Sequence, residues 1–136
     1  MRSYIYIWLL SVIALMGCSR QTTYPEAMKQ AESCMDAHPD SAFHLLSAYE
    51  DSINTLPEEA QMFYHLLTIQ AKDKQYIVHT SNSLINSIVE FYERYGDKEK
   101  LMMAYYYQGS VYRDMNDAPR ALKCFQKAIE INIPSQ

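Results

Sequence analysis

From Tyr24 onward, apolar residues recur at spacings of three and four positions, in segments separated by short polar or proline-containing joints. Such spacings place the apolar side chains on one face of a helix. Pro57 and Pro119 stand where the first turn of a helix tolerates proline, and Gly96 stands where a helix commonly ends. The pattern predicts six helices, which span residues 25–36, 41–54, 57–76, 82–95, 98–115 and 118–131.

These segments follow one another as helix, short turn, helix, three times over, which favours an all-α fold of antiparallel helix hairpins. Asp40 or Ser41 is expected to cap the second helix, and Thr80 or Ser81 the fourth. The third helix carries apolar residues on more than one side, so we expect it to be the most buried. With only three glycines among 136 residues, and with many helix-forming residues, the composition agrees with one all-helical domain.

The N-terminus has the form of a secretory signal peptide, with Arg2 followed by a mostly apolar stretch that ends at a small residue. That stretch is shorter than the ~20 residues of a membrane-spanning helix, and a polar run follows it. The tetrapeptide Leu15-Met16-Gly17-Cys18 resembles the lipobox of bacterial lipoproteins. The resemblance implies cleavage before Cys18, lipidation of Cys18 and anchoring in a membrane by acyl chains. The alternative is an ordinary signal peptide whose cleavage region contains a cysteine.

On this basis the chain divides into a signal peptide (1–17), an anchor linker (18–24) and a helical domain (25–136). Ser19 follows Cys18, and neither an Asp nor an acidic run stands there. By resemblance to the sorting signals of such lipoproteins, this favours the outer membrane, with the protein facing the periplasm of the cell envelope.

The last predicted hairpin, over about residues 102–135, has the strongest repeat-like pattern in the chain. Small residues at Gly109 and Ala121 allow two helices to cross closely. The residues expected to fill the gap between them are Tyr112, Phe125 and Ile129. This pattern resembles the tetratricopeptide-repeat consensus. The repeat core positions that match it are Tyr105, Gly109, Tyr112, Ala121, Phe125 and Ala128.

One position of this hairpin departs from the consensus, because Gln108 stands where Leu is usual. Residues 57–95 resemble a looser copy and residues 25–54 a degenerate one, and about three repeats are needed for stability. The resemblance implies a short right-handed superhelix of stacked hairpins. The whole pattern is similar to the N-terminal portion of a family of Bacteroidetes tetratricopeptide lipoproteins. Residues 132–136 resemble a linker into a further repeat, so we expect a truncated chain.

Residues with catalytic or ligand-binding potential are sparse. The histidines have neither a partner at metal-ligand spacing nor a nearby cysteine pair, so no metal site is predicted; they are His38, His44, His65 and His79. Glu58 and Glu59 are explained by the helix dipole, and no Gly-rich loop is present to hold a phosphate. A net charge of −4 disfavours nucleic-acid binding. We expect no catalytic residue, no cofactor and no enzymatic activity.

Two cysteines remain beside Cys18. Cys34 and Cys124 fall in the first and last predicted helices, which lie far apart in an elongated stack. We therefore expect two small buried residues, although an oxidising compartment would permit a disulfide.

A stripe on the fifth predicted helix is separate from its core side. It consists of Met103, Tyr106, Ser110 and Arg113. In tetratricopeptide arrays the corresponding stripe lines the concave groove, and Met, Arg and aromatic residues are enriched at protein interfaces. We predict that this stripe binds a partner. The alternative is a solvated face on which Arg113 pairs with Asp117 or Glu99.

Together these expectations describe a lipid-anchored envelope protein that acts as a scaffold or adaptor for an unidentified protein or peptide. Two alternatives remain open. One is the sensory N-terminal part of a membrane-anchored signalling or transcription regulator. The other is a purely structural lipoprotein without a partner.

Overall fold

The computed structural model describes residues 22–132, and within that range it contains six α-helices, one 3₁₀ segment and no strand. The elements are α1 (Glu26–Cys34), α2 (Pro39–Tyr49), a 3₁₀ segment (Glu50–Thr55), α3 (Glu58–Lys74), α4 (Ser83–Tyr95), α5 (Lys98–Asp114) and α6 (Ala118–Asn132). The all-α prediction is confirmed. The predicted signal peptide (1–17), Cys18 and the last four residues lie outside the described residues.

The helix ends follow local chemistry, with two departures from expectation. Gly96 ends α4 at φ +85° and its N–H donates to the carbonyl of Tyr92, as a C-terminal glycine does. Asp97 then accepts from the N–H of Lys100 at 3.0 Å and caps α5. The cap predicted for the second helix is wrong, since α2 has no side-chain cap hydrogen bond. At the start of α4 the cap position is Asn82, whose side chain makes no such bond, but the hydroxyl oxygen of Ser81 accepts from the N–H of Ser83 at 3.3 Å. The end of the second predicted helix forms the 3₁₀ segment instead.

Each helix packs against the next one along the chain, and two further contacts set the architecture. Helix α3 also contacts α1, and α5 also contacts α3. Within residues 22–132, α2 does not contact α4, and α4 does not contact α6. Helix α3 therefore lies in the groove between α1 and α2, and α5 lies in the groove between α3 and α4.

Helix α3 forms the centre of the hydrophobic core. It buries eight residues, more than any other described helix, which confirms the prediction for the third helix. Leu66 and Leu67 are fully buried, and burial of one such side chain stabilises the fold by roughly 1.5–3 kcal/mol. Tyr64 adds a directional contact, because its hydroxyl donates to the backbone carbonyl of Leu46 in α2 at 2.9 Å. This hydrogen bond helps to position α3 in the groove between α1 and α2.

A close helix crossing joins α5 and α6. A Cβ atom added at Gly109 would lie 2.5 Å from the nearest ring carbon of Phe125, well inside van der Waals contact. Glycine is therefore needed because the aromatic ring of α6 lies directly against the backbone of α5. Phe125 is half-buried, while Ala121 and Ala128 on the same helix are buried.

We predict that Gly109→Ala lowers the free energy of unfolding by roughly 1–3 kcal/mol, because the new methyl group overlaps the Phe125 ring. Urea denaturation followed by far-UV circular dichroism measures the change. Adding Phe125→Leu to Gly109→Ala should recover part of the loss, since the ring that clashes is removed. Strict additivity of the two substitutions would contradict this explanation.

Candidate protein-binding surface

The structure separates the four residues of the predicted binding stripe. Met103 is half-buried, and Tyr106 is 49% exposed. Arg113 is exposed and lies further along α5. Ser110 is fully buried, so its side chain is not accessible to a binding partner. Three of the four residues are thus accessible: Met103 and Tyr106 line one cleft, and Arg113 lines two others.

The first cleft lies between α5 and α6 and has a volume of about 380 Å³. Its walls are almost entirely apolar or aromatic. The lining residues are Met102, Met103, Tyr106 and Tyr107 from α5, with Phe125, Ala128, Ile129 and Asn132 from α6. A concave apolar surface with one polar residue at its end is suited to an apolar side chain or helix face rather than to a charged group.

Two further clefts continue from the first. Phe125 also lines a cleft of about 400 Å³ that runs past Leu122 to Arg113. Arg113 in turn lines a third cleft of about 380 Å³ beside the connection between α3 and α4. The residues of that third cleft are Asp73, Tyr76, Ile77, Val78, Arg113 and Asp114. The three clefts share residues in sequence and form one surface, which we call the apolar strip.

The apolar strip gathers most of the exposed large apolar side chains of the described residues. Six of the nine line one of its clefts, namely Tyr76, Ile77, Val78, Tyr106, Leu122 and Ile129. Contiguous exposed apolar surface is uncommon on a protein that has no partner, whereas isolated apolar residues are ordinary. The distribution therefore makes this side of the molecule the candidate contact surface.

The residues matched to the repeat core are placed mainly in the interior, with one correction beside them. Tyr105, Gly109 and Tyr112 of α5 are buried. The hydroxyl of Tyr105 hydrogen-bonds the carboxylate of Glu93 in α4. Ile129, which was expected to fill the gap between the two helices, is 62% exposed. Helix periodicity placed it on the wrong side, because the neighbouring face of α6 is the one that meets α5.

At the other end of the strip, Arg113 joins two carboxylates. Its guanidinium donates to Asp73 of α3 at 2.8 Å and to Asp114 at 2.9 Å. These partners differ from Asp117 and Glu99, the residues named in the alternative interpretation of the stripe. The pairing ties the C-terminal ends of α3 and α5 together.

Asp114 also holds the connection between α3 and α4. One of its oxygens accepts the backbone N–H of His79 at 3.0 Å and lies 2.8 Å from Nδ1 of the His79 ring. Burial acts to raise the pKa of Asp114, but the hydrogen bonds from His79 and Arg113 outweigh it and hold that pKa below its usual range. Asp114 is thus a carboxylate at neutral pH. Through its contacts with His79 it holds the α3–α4 loop against the end of α5.

Asp73, His79 and Asp114 each offer one atom that could ligate a metal, and these atoms lie within 4.8 Å of one another. Arg113 already bridges the two carboxylates, so a metal ion would have to displace the guanidinium. We interpret the cluster as a hydrogen-bonded support for the loop. No sequence motif predicts this cluster, because His79 and Asp114 are 35 positions apart.

Tyr76 has an unusual backbone conformation for an aromatic residue. Its φ is +60°, and its side chain is 92% exposed. Asn116 has the same φ at the end of α5. Both helices close alike, since Ile77 N–H donates to the carbonyl of Lys72 and Asp117 N–H to the carbonyl of Tyr112. Asparagine is common at such a left-handed position, whereas tyrosine is strained there and gains no burial in return.

Comparison with protein-family models, with curated proteins and with solved structures finds no match to this chain. Among the described helices, none is both long enough and apolar enough to cross a membrane.

We predict that Tyr76→Gly raises the free energy of unfolding by about 1 kcal/mol, because glycine adopts a positive φ without steric cost. Asn116→Gly is the matched control, since Asn116 has the same φ as Tyr76 but asparagine tolerates this conformation. The increase in the free energy of unfolding should therefore be clearly smaller for Asn116→Gly. Thermal and urea unfolding of both variants test the comparison. Destabilisation by Tyr76→Gly would show that the tyrosine side chain stabilises the fold.

Proposed function

We propose that this chain is a lipid-anchored adaptor of the cell envelope, built from tetratricopeptide-like hairpins, which binds another protein along the apolar strip. The observation that carries the binding role is the concentration of exposed apolar side chains on three connected clefts. Burial of this area by a partner would be favourable at about 25 cal/mol per Å² before the costs of association.

The pattern of helix contacts supports the repeat architecture. The first helices of successive pairs contact each other, while the second helices do not. Such one-sided contact curves a stack of hairpins and leaves the first helices on the inner side. The closeness of Gly109 to Phe125 supports the same hairpin geometry, because it shows why a small residue stands at the crossing. We propose a short right-handed superhelix on these grounds.

The stripe residues fit this function in different ways. Tyr106 presents half of its aromatic surface beside Phe125, with ring centroids 5.5 Å apart, and Met103 lies in the same cleft. Tyr and Met are favoured at interfaces because they offer large contact area. Arg113 fixes the third cleft rather than presenting a free charge. We therefore assign recognition mainly to apolar contact.

The membrane anchor is proposed from the lipobox-like tetrapeptide that ends at Cys18. A lipid-anchored adaptor would be held at the membrane while its apolar strip stays accessible to other envelope proteins. The proposed location is the periplasmic side of the outer membrane. We propose no catalytic step, because the charged side chains of the strip are already engaged with one another.

We predict that the tagged chain, crosslinked in membranes of its native host, recovers a defined envelope protein, and that Tyr106→Ala with Leu122→Ala reduces the recovery at least about tenfold. The matched control is Tyr95→Ala with Leu84→Ala. Tyr95 is 47% exposed, as against 49% for Tyr106, yet it lies outside the strip. The control should leave the recovery unchanged.

Equal loss in both variants would point to general destabilisation, and equal recovery in both would place the interface elsewhere. Starting the experiment from membranes also tests the anchor. A Cys18→Ser chain should leave the membrane fraction, since it cannot be lipidated.

A further inference from the structure

Helix α5 lies in the groove between α3 and α4 and is held there by polar contacts with both helices. On the α4 side, Asn86 accepts from Nε2 of Gln108 at 2.9 Å, and Glu93 accepts from the hydroxyl of Tyr105. On the α3 side, Asp73 pairs with Arg113 of α5. The groove is therefore filled by a helix that touches both of its walls.

Helix α6 presents the same kind of wall. The buried residues of the two second helices align with one another: Ile85, Ile88 and Tyr92 of α4 match Ala121, Cys124 and Ala128 of α6. In that alignment Leu122 takes the place of Asn86, and Ile129 takes the place of Glu93. Leu122 is 60% exposed and Ile129 is 62% exposed. The positions that hold α5 by hydrogen bonds on α4 are thus apolar and exposed on α6.

The first helices give the same result. Because α3 and α5 close alike at Tyr76 and Asn116, Leu66 of α3 corresponds to Tyr106 of α5, and Phe63 corresponds to Met103. Leu66 and Phe63 are buried, with exposures of 0% and 2%. Tyr106 is 49% exposed. The side that is covered in α3 is open in α5.

Resting on the proposed binding role, we infer that the groove between α5 and α6 accepts an amphipathic helix of a partner protein, seated as α5 is seated between α3 and α4. The partner face must be apolar, because Leu122 and Ile129 stand where polar residues hold α5. Helix α6 has 15 residues and is therefore ~22 Å long, so a partner helix of about four turns covers the groove.

A second copy stacked head to tail does not fit this groove. The first helix of such a copy would have to present its free face, and the exposed residues of α1 are polar throughout. They are Glu26, Lys29, Gln30, Glu32 and Ser33. Burying these groups against Leu122 and Ile129 would remove them from water without hydrogen-bond partners. The occupant that matches the surface is an apolar helix, which under the proposed adaptor role belongs to another protein; a further repeat of a longer native chain seated in this groove would overturn the inference.

Two synthetic peptides provide direct probes, since they are the helices that fill the two preceding grooves. Fluorescein-labelled peptides of residues 58–74 and 98–114 are titrated with the protein, and fluorescence anisotropy is measured. We expect saturable binding of at least one peptide. Leu122→Asp with Ile129→Asp should weaken it at least tenfold, whereas Leu84→Asp, an exposed position on α4, should leave it unchanged.

Far-UV circular dichroism checks that all variants keep their helices, as expected for substitutions at exposed positions. Failure of both peptides to bind, or equal binding by the double variant, would overturn the inference. Sedimentation that shows a wild-type dimer abolished by the double variant would overturn it as well, because the occupant would then be a second copy. The crosslinking experiment could still recover a partner whose binding is lost in the Tyr106→Ala, Leu122→Ala variant, even though neither peptide binds. That combination would support the adaptor role and would overturn only the inference that the partner presents a helix.

Discussion

Helix α3 lies against four other helices, and this arrangement is the constraint on which the rest of the fold depends. A helix hairpin buries only one of its two sides, so the other side needs a further helix to cover it. Helix α3 covers α1 and α2, and α5 covers α3 and α4. Polar contacts such as Tyr64 to Leu46 and Arg113 to Asp73 then fix the position of each helix within its groove. Stability comes from apolar burial, and specificity of placement comes from these directional bonds.

The same constraint leads to the proposed function. Where a groove is filled, the side chains on its walls are buried or hydrogen-bonded; between α5 and α6 they are apolar and open. The α3–α4 loop adds a second apolar edge, held in place by Asp114 even though Tyr76 is strained. Strain that the fold does not need is often found at functional positions. One surface thus combines an open groove with a rigid apolar loop.

The helices and their order could be predicted from the sequence because apolar periodicity and Pro or Gly signals are local properties. The need for glycine at position 109 was also predictable, since two helices joined by a short turn must cross closely. Which face of a helix is covered is a tertiary property. For that reason Ser110 was expected at the surface and Ile129 in the interior, and both expectations were reversed. The hydrogen bond between His79 and Asp114 joins residues 35 positions apart, and no sequence motif predicts it.

Native-state hydrogen exchange of the free protein tests most directly whether the inner grooves are filled and the α5–α6 groove is open. Helix α3 is enclosed by α1, α2, α4 and α5, whereas α6 packs only against α5 among the described helices. The amides of α3 should therefore exchange slowest, and those of α6 should exchange markedly faster through local opening. Equal protection of α6 and α3 would contradict the account, because it would mean that the outer face of α6 is already covered in the free protein.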